Sequence, residues 1–315
     1  KKGGNLLENS GWIDGKSYPE TPSPVELKKQ SFFREYLVVT KVGIVNSNLL
    51  TAIAAIFMAL HYNQLQFLDY LDKIILAVAG SYFVIAGSGS MNNYFDRDID
   101  IIMRRTRKRP SVSGRFSPRF VLALGLSYIA IGTFILFNVS LTAGLAGFAG
   151  AFTYVVLYTL WTKRRYTLNT VIGSVSGAMP PLIGWAAVDP DLHPAAWVLF
   201  SIMFIWQIPH FLALAMKKAD DYRLAHIPML PVVEGFAITK RQILVWILCL
   251  LPLPFYLLDL SPYFVLFATA LNLGWIYTAA KGFKADDDLK WATKVFVYSL
   301  NYLTLMFLAV IIFSL

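Results

Sequence analysis

The chain has 315 residues, of which 57% are hydrophobic and 15% are charged, and its mean hydropathy is +0.55. Soluble domains carry about 25% charged residues, so this composition excludes an ordinary soluble protein and indicates one that crosses a membrane several times. The formal net charge of +9 reflects membrane topology in such a protein, and we expect no nucleic-acid partner. The single cysteine, Cys249, excludes a disulfide framework within the chain.

The N-terminal residues are polar and mixed in charge, with Pro19, Pro22 and Pro24 among them. They lack the basic and short apolar segments of a signal peptide, and they are neither arginine-rich nor free of acids like a transit peptide. We therefore expect residues 1–37 to form a cytoplasmic tail. We expect residues 38–315 to form a single transmembrane domain in a bacterial cell membrane.

Nine apolar runs approach the length of about 20 residues that a membrane helix needs. They are 42–60, 74–95, 120–137, 140–161, 170–188, 195–216, 242–259, 262–280 and 295–314. The links 137–140 and 259–262 are so short that each predicts a tight antiparallel pair of helices. Pro180, Pro181 and Pro209 lie inside two runs and are expected to break or bend those helices. The predicted fold class is all-α, a polytopic membrane bundle of about nine transmembrane helices.

Positive charge alternates with these spans. With the N-terminus inside, the inner segments are 1–41, 96–119, 162–169, 217–241 and 281–294. These segments hold 27 of the 28 Lys and Arg residues, and only Lys73 lies in an outer segment. Cytoplasmic loops carry the Lys/Arg excess, so we expect a cytoplasmic N-terminus and a C-terminus outside. Topology does not explain why the segment 96–119 alone holds eight of these cations beside several acids.

Asn92, Asp96 and Asp100 are spaced i, i+4, i+8, which places them on one stripe of a helix about 12 Å long, while Asp98 points away. Two interpretations are open. The acids either pair with nearby arginines at a charged helix end, or hold Mg²⁺ that bridges a diphosphate while Lys and Arg neutralise the remaining charge. The basic residues that follow favour the second: Arg104, Arg107, Lys108 and Arg109. A diphosphate leaving group points to ionisation of an allylic C–O bond, with the lipid tail in a hydrophobic lumen.

The pattern NxxxDxxxD at 92–100, inside nine spans, resembles the first aspartate motif of the UbiA superfamily of intramembrane aromatic prenyltransferases. The resemblance covers about residues 40–315. The usual form begins Asn-Asp, and here Asn93 stands at the second position. Most members carry a second Asp-x-x-x-Asp near the sixth span. Here Asp220 and Asp221 are adjacent, with no partner acid four residues away, so a second two-carboxylate stripe is not expected.

Three strings are similar to the protoheme IX farnesyltransferase (haem O synthase) family within that superfamily. They are RTRKRPSVSGR (105–115), WQIPHFLALA (206–215) and DYRLAHIPMLPVV (221–233), the last with His226 where Gly is expected. The resemblance implies transfer of a farnesyl group from farnesyl diphosphate to a vinyl group of haem b, giving haem O and diphosphate. It implies Mg²⁺ as cofactor, membrane lipid as surroundings, an active site facing the cytoplasm, and haem A synthase as a downstream partner.

The resemblance also suggests roles for individual residues. Asn92, Asp96 and Asp100 would hold Mg²⁺, and with Lys163 they are the catalytic candidates. The diphosphate-binding candidates are Arg104, Arg107, Lys108, Arg109, Arg164, Lys217 and Lys218. The candidates for contact with haem or another substrate group are Tyr158, Trp206, Gln207, His210, Asp221 and His226. His210 lies in mid-span, where it is either an axial ligand of haem iron or a histidine satisfied by helix packing.

Two other functions remain open on sequence grounds. A quinone-pathway aromatic prenyltransferase, acting on 4-hydroxybenzoate or a naphthoate, would be expected to carry the second Asp-x-x-x-Asp. A transporter or haem carrier is the other class. Transporters usually show an internal repeat and charges near the middle of the membrane, whereas nearly all charge here clusters on one face.

Overall fold

The computed structural model describes residues 31–315 and is built from helices, with no strand among the residues described. In chain order the helices are α1 (Phe32–Val39), α2 (Val42–Tyr62), α3 (Leu71–Phe95), α4 (Arg97–Asp100), α5 (Pro118–Val139), α6 (Leu141–Phe152), α7 (Asn169–Ala186), α8 (Pro194–Lys217), α9 (Ala219–Leu224), α10 (Leu230–Val233), α11 (Gly235–Cys249), α12 (Pro262–Ala280) and α13 (Asp288–Ser314). Most of the predicted tail, residues 1–30, lies outside the described residues, and its last part forms α1.

Eight described segments are long and apolar enough to cross a membrane. They are Val42–Tyr62, Phe67–Phe95, Pro118–Val139, Leu141–Thr162, Pro194–Lys217, Gly235–Leu257, Pro262–Lys284 and Asp288–Ser314. Each matches one predicted run. The ninth run, 170–188, corresponds to α7, which has 18 residues and packs against α2, α6 and α8. The all-α bundle of about nine crossings is therefore confirmed.

Local sequence sets where several helices begin. The side chains of Ser117, Ser140, Ser261 and Asp287 accept hydrogen bonds from backbone N–H groups in the first turns of α5, α6, α12 and α13. Such caps satisfy donors that a helix start leaves free. Ser140 alone separates α5 from α6, as the short predicted link requires. The helical hydrogen-bond pattern continues past the internal prolines of α7 and α8, so neither helix is broken at them.

Close approach of small residues holds α3 against α5. A Cβ added at Gly132 would lie 2.7 Å from the carbonyl oxygen of Gly80, so the two backbones touch only because both side chains are absent. Small residues at helix contacts are the usual means of close packing where lipid gives no hydrophobic drive between helices. Consecutive crossing helices pack on one another, and α13 returns to contact α2 and α8.

Short elements, α4, α9 and α10, form a cap at one end of the bundle, the end that the charge pattern predicts to be the inner one. Ile99 and Met103, at the start of the basic loop, are buried against Ala215, Ile227 and Met229. The cap therefore brings together two segments that are far apart in sequence, the acidic and basic segment after α3 and the segment 221–233. The acidic stripe begins at Asn92 in the spanning helix α3 and ends at Asp100 in the short helix α4, so it lies where the spanning helix meets the cap.

Candidate active site

A cavity of about 460 Å³ lies inside the bundle. Its polar lining includes Asn92, Asp100, Arg109 and Lys163, which belong to the inner ends of their spans or to the cap. Its apolar lining reaches residues such as Val84, which is eight residues, or about 12 Å of helix, further into the bundle. The cavity thus combines a charged inner part with an apolar interior, the arrangement that an amphipathic substrate with an anionic head requires.

The acidic stripe forms, although the helix under it is interrupted. α3 ends at Phe95, and Asp96 has non-helical dihedral angles (φ −87°, ψ 5°) before α4 begins. The backbone N–H of Asp96 still donates to the carbonyl of Asn92 (3.0 Å), and the N–H of Asp100 donates to that of Asp96 (2.7 Å). The i, i+4 relation therefore persists, and Asn92, Asp96 and Asp100 are 4%, 0% and 1% exposed.

Asp98 lies on the outside, as the spacing predicts. Its carboxylate accepts from both terminal nitrogens of Arg164, at 2.6 and 2.7 Å. These hydrogen bonds hold the pKa of Asp98 below its usual range. Because this pair is exposed, it contributes little to stability. Asp98 points away from the cavity and is not part of the candidate site.

Both buried carboxylates have basic partners. Asp96 pairs with Lys163, and Asp100 pairs with Arg109 at 2.5 Å. The amide nitrogen of Asn92 donates to Asp96 Oδ2 at 2.7 Å. The acids therefore pair with nearby cations, as the first interpretation predicts. The same packing also brings together the groups that the Mg²⁺–diphosphate interpretation needs.

The donor set fits Mg²⁺ only with help from a substrate. Asp96 Oδ1 is buried and accepts no hydrogen bond from any described residue, and Arg164 Nη2 stands 3.8 Å away. This oxygen, the second carboxylate and the Asn92 amide are the hard oxygen ligands that Mg²⁺ prefers. The described residues contain no cluster of three His, Cys, Asp or Glu side chains that could hold a metal alone. Water and phosphate oxygens would therefore have to complete the coordination shell.

The end of the fourth crossing is a π-helix, Thr153–Thr162, which carries Tyr154 and Tyr158 of the cavity lining. Tyr154 and Lys163 are nine residues apart, which in an α-helix is two and a half turns and places them on opposite faces. A helix with i→i+5 hydrogen bonds has about 4.4 residues per turn, so nine residues make about two turns. This winding brings Tyr154, Tyr158 and Lys163 to the same cavity.

His210 lines the cavity between two aromatic rings. Its ring centroid lies 4.8 Å from that of Trp206 and 4.8 Å from that of Phe296, and Nδ1 lies 2.7 Å from Ser299 Oγ. Nε2 makes no hydrogen bond to another described residue. Gln207, which also lines the cavity, donates to the carbonyls of Ser174 (3.2 Å) and Met203 (3.0 Å). Packing therefore satisfies one nitrogen of His210 and leaves the other for a ligand.

Several predicted site residues lie outside the cavity lining. They are Asp96, Arg104, Arg107, Lys108, Arg164, Lys217, Lys218, Asp221 and His226. Asp96 is fully buried and is linked to the lining through Lys163 and Asn92. Arg104, Lys108 and His226 are exposed, and the Lys217 ammonium lies over the Phe296 ring at 4.6 Å. Roles in diphosphate or substrate binding for this group stay predictions.

Four ionisable residues of the cavity lining were not among the sequence-based candidates: Lys41, Arg105, Tyr154 and Tyr222. Lys41 directly precedes the first span, so its charge was assigned to topology alone. Its ammonium donates to Asn92 Oδ1 and, at 3.3 Å, to the Tyr154 hydroxyl. Burial lowers the pKa of Lys41 well below its ordinary value, and the positive charges of Arg109 and Lys163 add to the effect.

Comparison with known proteins places this geometry in a family. Residues 48–311 match the UbiA prenyltransferase family. A protoheme IX farnesyltransferase of Bacillus mycoides (strain KBAB4) is 59% identical over 275 residues, covering 87% of this chain and 90% of the relative. One of Bacillus thuringiensis (strain Al Hakam) is 57% identical over 297 residues, covering 94% of each chain. The solved structure of a UbiA homolog from Archaeoglobus fulgidus bound to GPP and Mg²⁺ shares the fold, with a TM-score of 0.63 and 14% identity over 88% of this chain and 99% of the homolog.

Proposed function

This chain belongs to the UbiA prenyltransferase family, and we propose that it transfers a farnesyl group from farnesyl diphosphate to a vinyl group of haem b, giving haem O and diphosphate. It is a transferase of haem biosynthesis. The observation that carries the proposal is the buried stripe of Asn92, Asp96 and Asp100. Its carboxylates pair with Lys163 and Arg109, and Asn92 and Asp100 line the inner part of an otherwise apolar cavity. The relatives named above support the identity of both substrates.

The diphosphate of the prenyl donor is held by the metal and by basic side chains of the cavity. Asn92, Asp96 and Asp100 would hold Mg²⁺, which when bound neutralises diphosphate oxygens and makes diphosphate a better leaving group. The Archaeoglobus structure with GPP and Mg²⁺ supports this choice of metal. Lys163 and Arg109, now paired with the two carboxylates, donate to the anion and stabilise the charge that develops on it.

The chemical step breaks the bond between C1 of the farnesyl group and the diphosphate oxygen, and the electron pair leaves with diphosphate. The vinyl π electrons of haem form the new C–C bond to the allylic cation. Addition of water to the resulting haem cation, with loss of a proton, gives the hydroxyethylfarnesyl side chain. Because water that arrived earlier would capture the allylic cation, the apolar walls of the cavity have to exclude it until the C–C bond has formed.

In this proposal the haem acceptor binds in contact with His210, Trp206 and Gln207. These side chains lie in the cavity about two to three turns from the inner end of α8. Both the free nitrogen of His210 and the aromatic rings suit a flat iron porphyrin. The Lys/Arg distribution supports a cytoplasmic N-terminus and a site reached from the cytoplasmic side of the cell membrane. Delivery of haem O to a haem A synthase stays a prediction.

The quinone-pathway alternative gains no support from the cavity. Asp220 is exposed and pairs with Arg223 at 2.7 Å, and neither it nor Asp221 lines the cavity. A second carboxylate pair facing the cavity, which that alternative would lead one to expect, is not formed by these residues.

Purified protein incubated with haem b and farnesyl diphosphate, with and without Mg²⁺, tests the proposal. We expect Mg²⁺-dependent formation of a product with the mass of haem O. Asp96→Asn should lower the rate by about 100-fold or more, because loss of one electrostatic group in such a site has this effect. Asp98→Asn removes the same charge two residues away and should leave the rate within about twofold. Prenylation of 4-hydroxybenzoate but not haem, or full activity of Asp96→Asn, would contradict the proposal.

A further inference from the structure

Lys41 is a buried cation of the cavity that forms no ion pair with any carboxylate of the described residues, although the charges of Asp96 and Asp100 act on it from further away. Lys163 and Arg109 each form an ion pair with a buried carboxylate. Among the described residues, Lys41 contacts only neutral acceptors, the amide oxygen of Asn92 and the hydroxyl of Tyr154. A buried ammonium is stabilised by an opposite charge in contact with it, so Lys41, which contacts neither carboxylate directly, is suited to receive an anion in the cavity.

The segment that carries Lys41 is fixed from several sides. The backbone of Lys41 is left-handed (φ 54°, ψ 45°), a conformation that non-glycine residues adopt only when the surroundings impose it. Two residues earlier, the carbonyl of Val39 accepts a hydrogen bond of 2.8 Å from the amide nitrogen of Asn93. The stem of Lys41 runs past Gly89, where an added Cβ would lie 3.3 Å from Lys41 Cδ.

Asn93 explains why the second position of the acidic motif is an amide here. Asn93 is 1% exposed, and its Nδ2 donates to Val39 instead of facing the cavity. An ionised aspartate at this position has no proton to donate and would set a buried carboxylate against a carbonyl oxygen. The amide is therefore suited to holding the turn that directs Lys41 inward.

We propose that Lys41 is a further binding residue for the diphosphate of the prenyl donor, and that Asn93 is the residue that positions it. This inference rests on the proposed function, which supplies the anion. Haem propionates are the other anion in the reaction, but the Lys41 ammonium bonds directly to Asn92, a member of the stripe assigned to the diphosphate. The donor diphosphate is therefore the anion within its reach.

The first test is steady-state kinetics of Lys41→Met, which removes the charge and keeps the stem. We expect KM for farnesyl diphosphate to rise tenfold or more, KM for haem b to stay within twofold, and Lys41→Arg to restore most of the affinity. Lys73→Met makes the same chemical change on the outer side and should leave both constants unchanged. An unchanged KM for farnesyl diphosphate in a folded Lys41→Met protein, or a rise only in KM for haem b, would overturn the inference.

The second test separates positioning from general stability. Asn93→Asp should raise KM for farnesyl diphosphate in the wild-type background but add little to Lys41→Met, because both changes remove the same contact. Additive effects would overturn the role of Asn93.

Direct binding of Mg²⁺ and farnesyl diphosphate to the purified proteins, measured by calorimetry, separates failure of the inference from failure of the proposed function. If the wild-type protein does not bind the donor, the proposed function fails and the inference fails with it. If wild-type and Lys41→Met proteins bind it equally, only the inference fails.

Discussion

Residues that are close in sequence have very different surroundings in this site. The side of the helix to which each residue points determines whether it is buried or exposed. Asp96 is fully buried and paired with Lys163, whereas Asp98, two residues later, is paired with Arg164 at the surface. Removing one member of a buried ion pair leaves an uncompensated charge, which costs about 3–5 kcal/mol, while exposed pairs contribute about 0–1 kcal/mol. The same reasoning makes Asp96 the sensitive position of the motif and Asp98 its natural control.

His226 stands where the family resemblance leads one to expect glycine, and its backbone explains the expectation. Its φ is 52°, in the left-handed region, which costs a non-glycine residue about 1–2 kcal/mol. Glycine removes that cost but loses about 0.5–1 kcal/mol through the greater entropy of its unfolded chain. His226→Gly should therefore raise the thermal midpoint of the detergent-solubilised protein by about 1–3 °C.

The control for this prediction is Arg223→Gly, in the regular helix α9, which should lower the midpoint. Because His226 is exposed and lies outside the cavity lining, activity should not change. A loss of activity without loss of stability would instead support the substrate contact that the sequence suggested.

At the scale of helices, sequence reasoning succeeded where one rule dominates and failed where tertiary context overrides it. Apolar length located the spans, because a membrane leaves few alternatives to a helix of fixed length. It did not reveal the break at Asp96 or the π-helix Thr153–Thr162, because neither changes the pattern of apolar residues. Tyr154 was not predicted as a site residue for that reason. Lys41 was not predicted because a lysine before a span is already explained by membrane topology.

The π-helix offers a pair of matched threonines. Thr159 Oγ1 donates to the carbonyl of Tyr154, and Thr162 Oγ1 donates to that of Leu157, each at 2.8 Å. Only Thr159 also touches the site, since it accepts from Asn92 Nδ2 at 3.1 Å. Thr159→Val and Thr162→Val should each lower the free energy of unfolding by about 1 kcal/mol.

Activity should distinguish the two threonine variants. Thr159→Val should lower the prenylation rate about tenfold, because Asn92 loses a partner that orients it, and such losses behind a metal ligand cost about 10–100-fold. Thr162→Val should keep nearly the wild-type rate at saturating Mg²⁺. Equal rates for both variants would show that the contact with Asn92 has no part in the reaction.

At the scale of the whole molecule, one asymmetry serves two purposes. The inner segments carry nearly all Lys and Arg residues, which favours their retention in the cytoplasm, and part of the same charge lines the cavity. An odd number of crossings would place the two termini on opposite sides of the membrane. We therefore expect the same residues to set the orientation of the protein and the side from which its anionic substrate enters.

Cysteine labelling in intact cells tests this orientation. Cys249 is exposed and is the only cysteine, so Cys249→Ser gives a background without thiols. Gln66→Cys lies in the exposed link after α2 and Lys284→Cys in the exposed link before α13, at opposite ends of the bundle. A membrane-impermeant maleimide should label Gln66→Cys in intact cells and Lys284→Cys only after lysis, while a permeant maleimide labels both. Labelling of Lys284→Cys alone in intact cells would reverse the orientation and place the site on the outer face, contrary to the charge distribution.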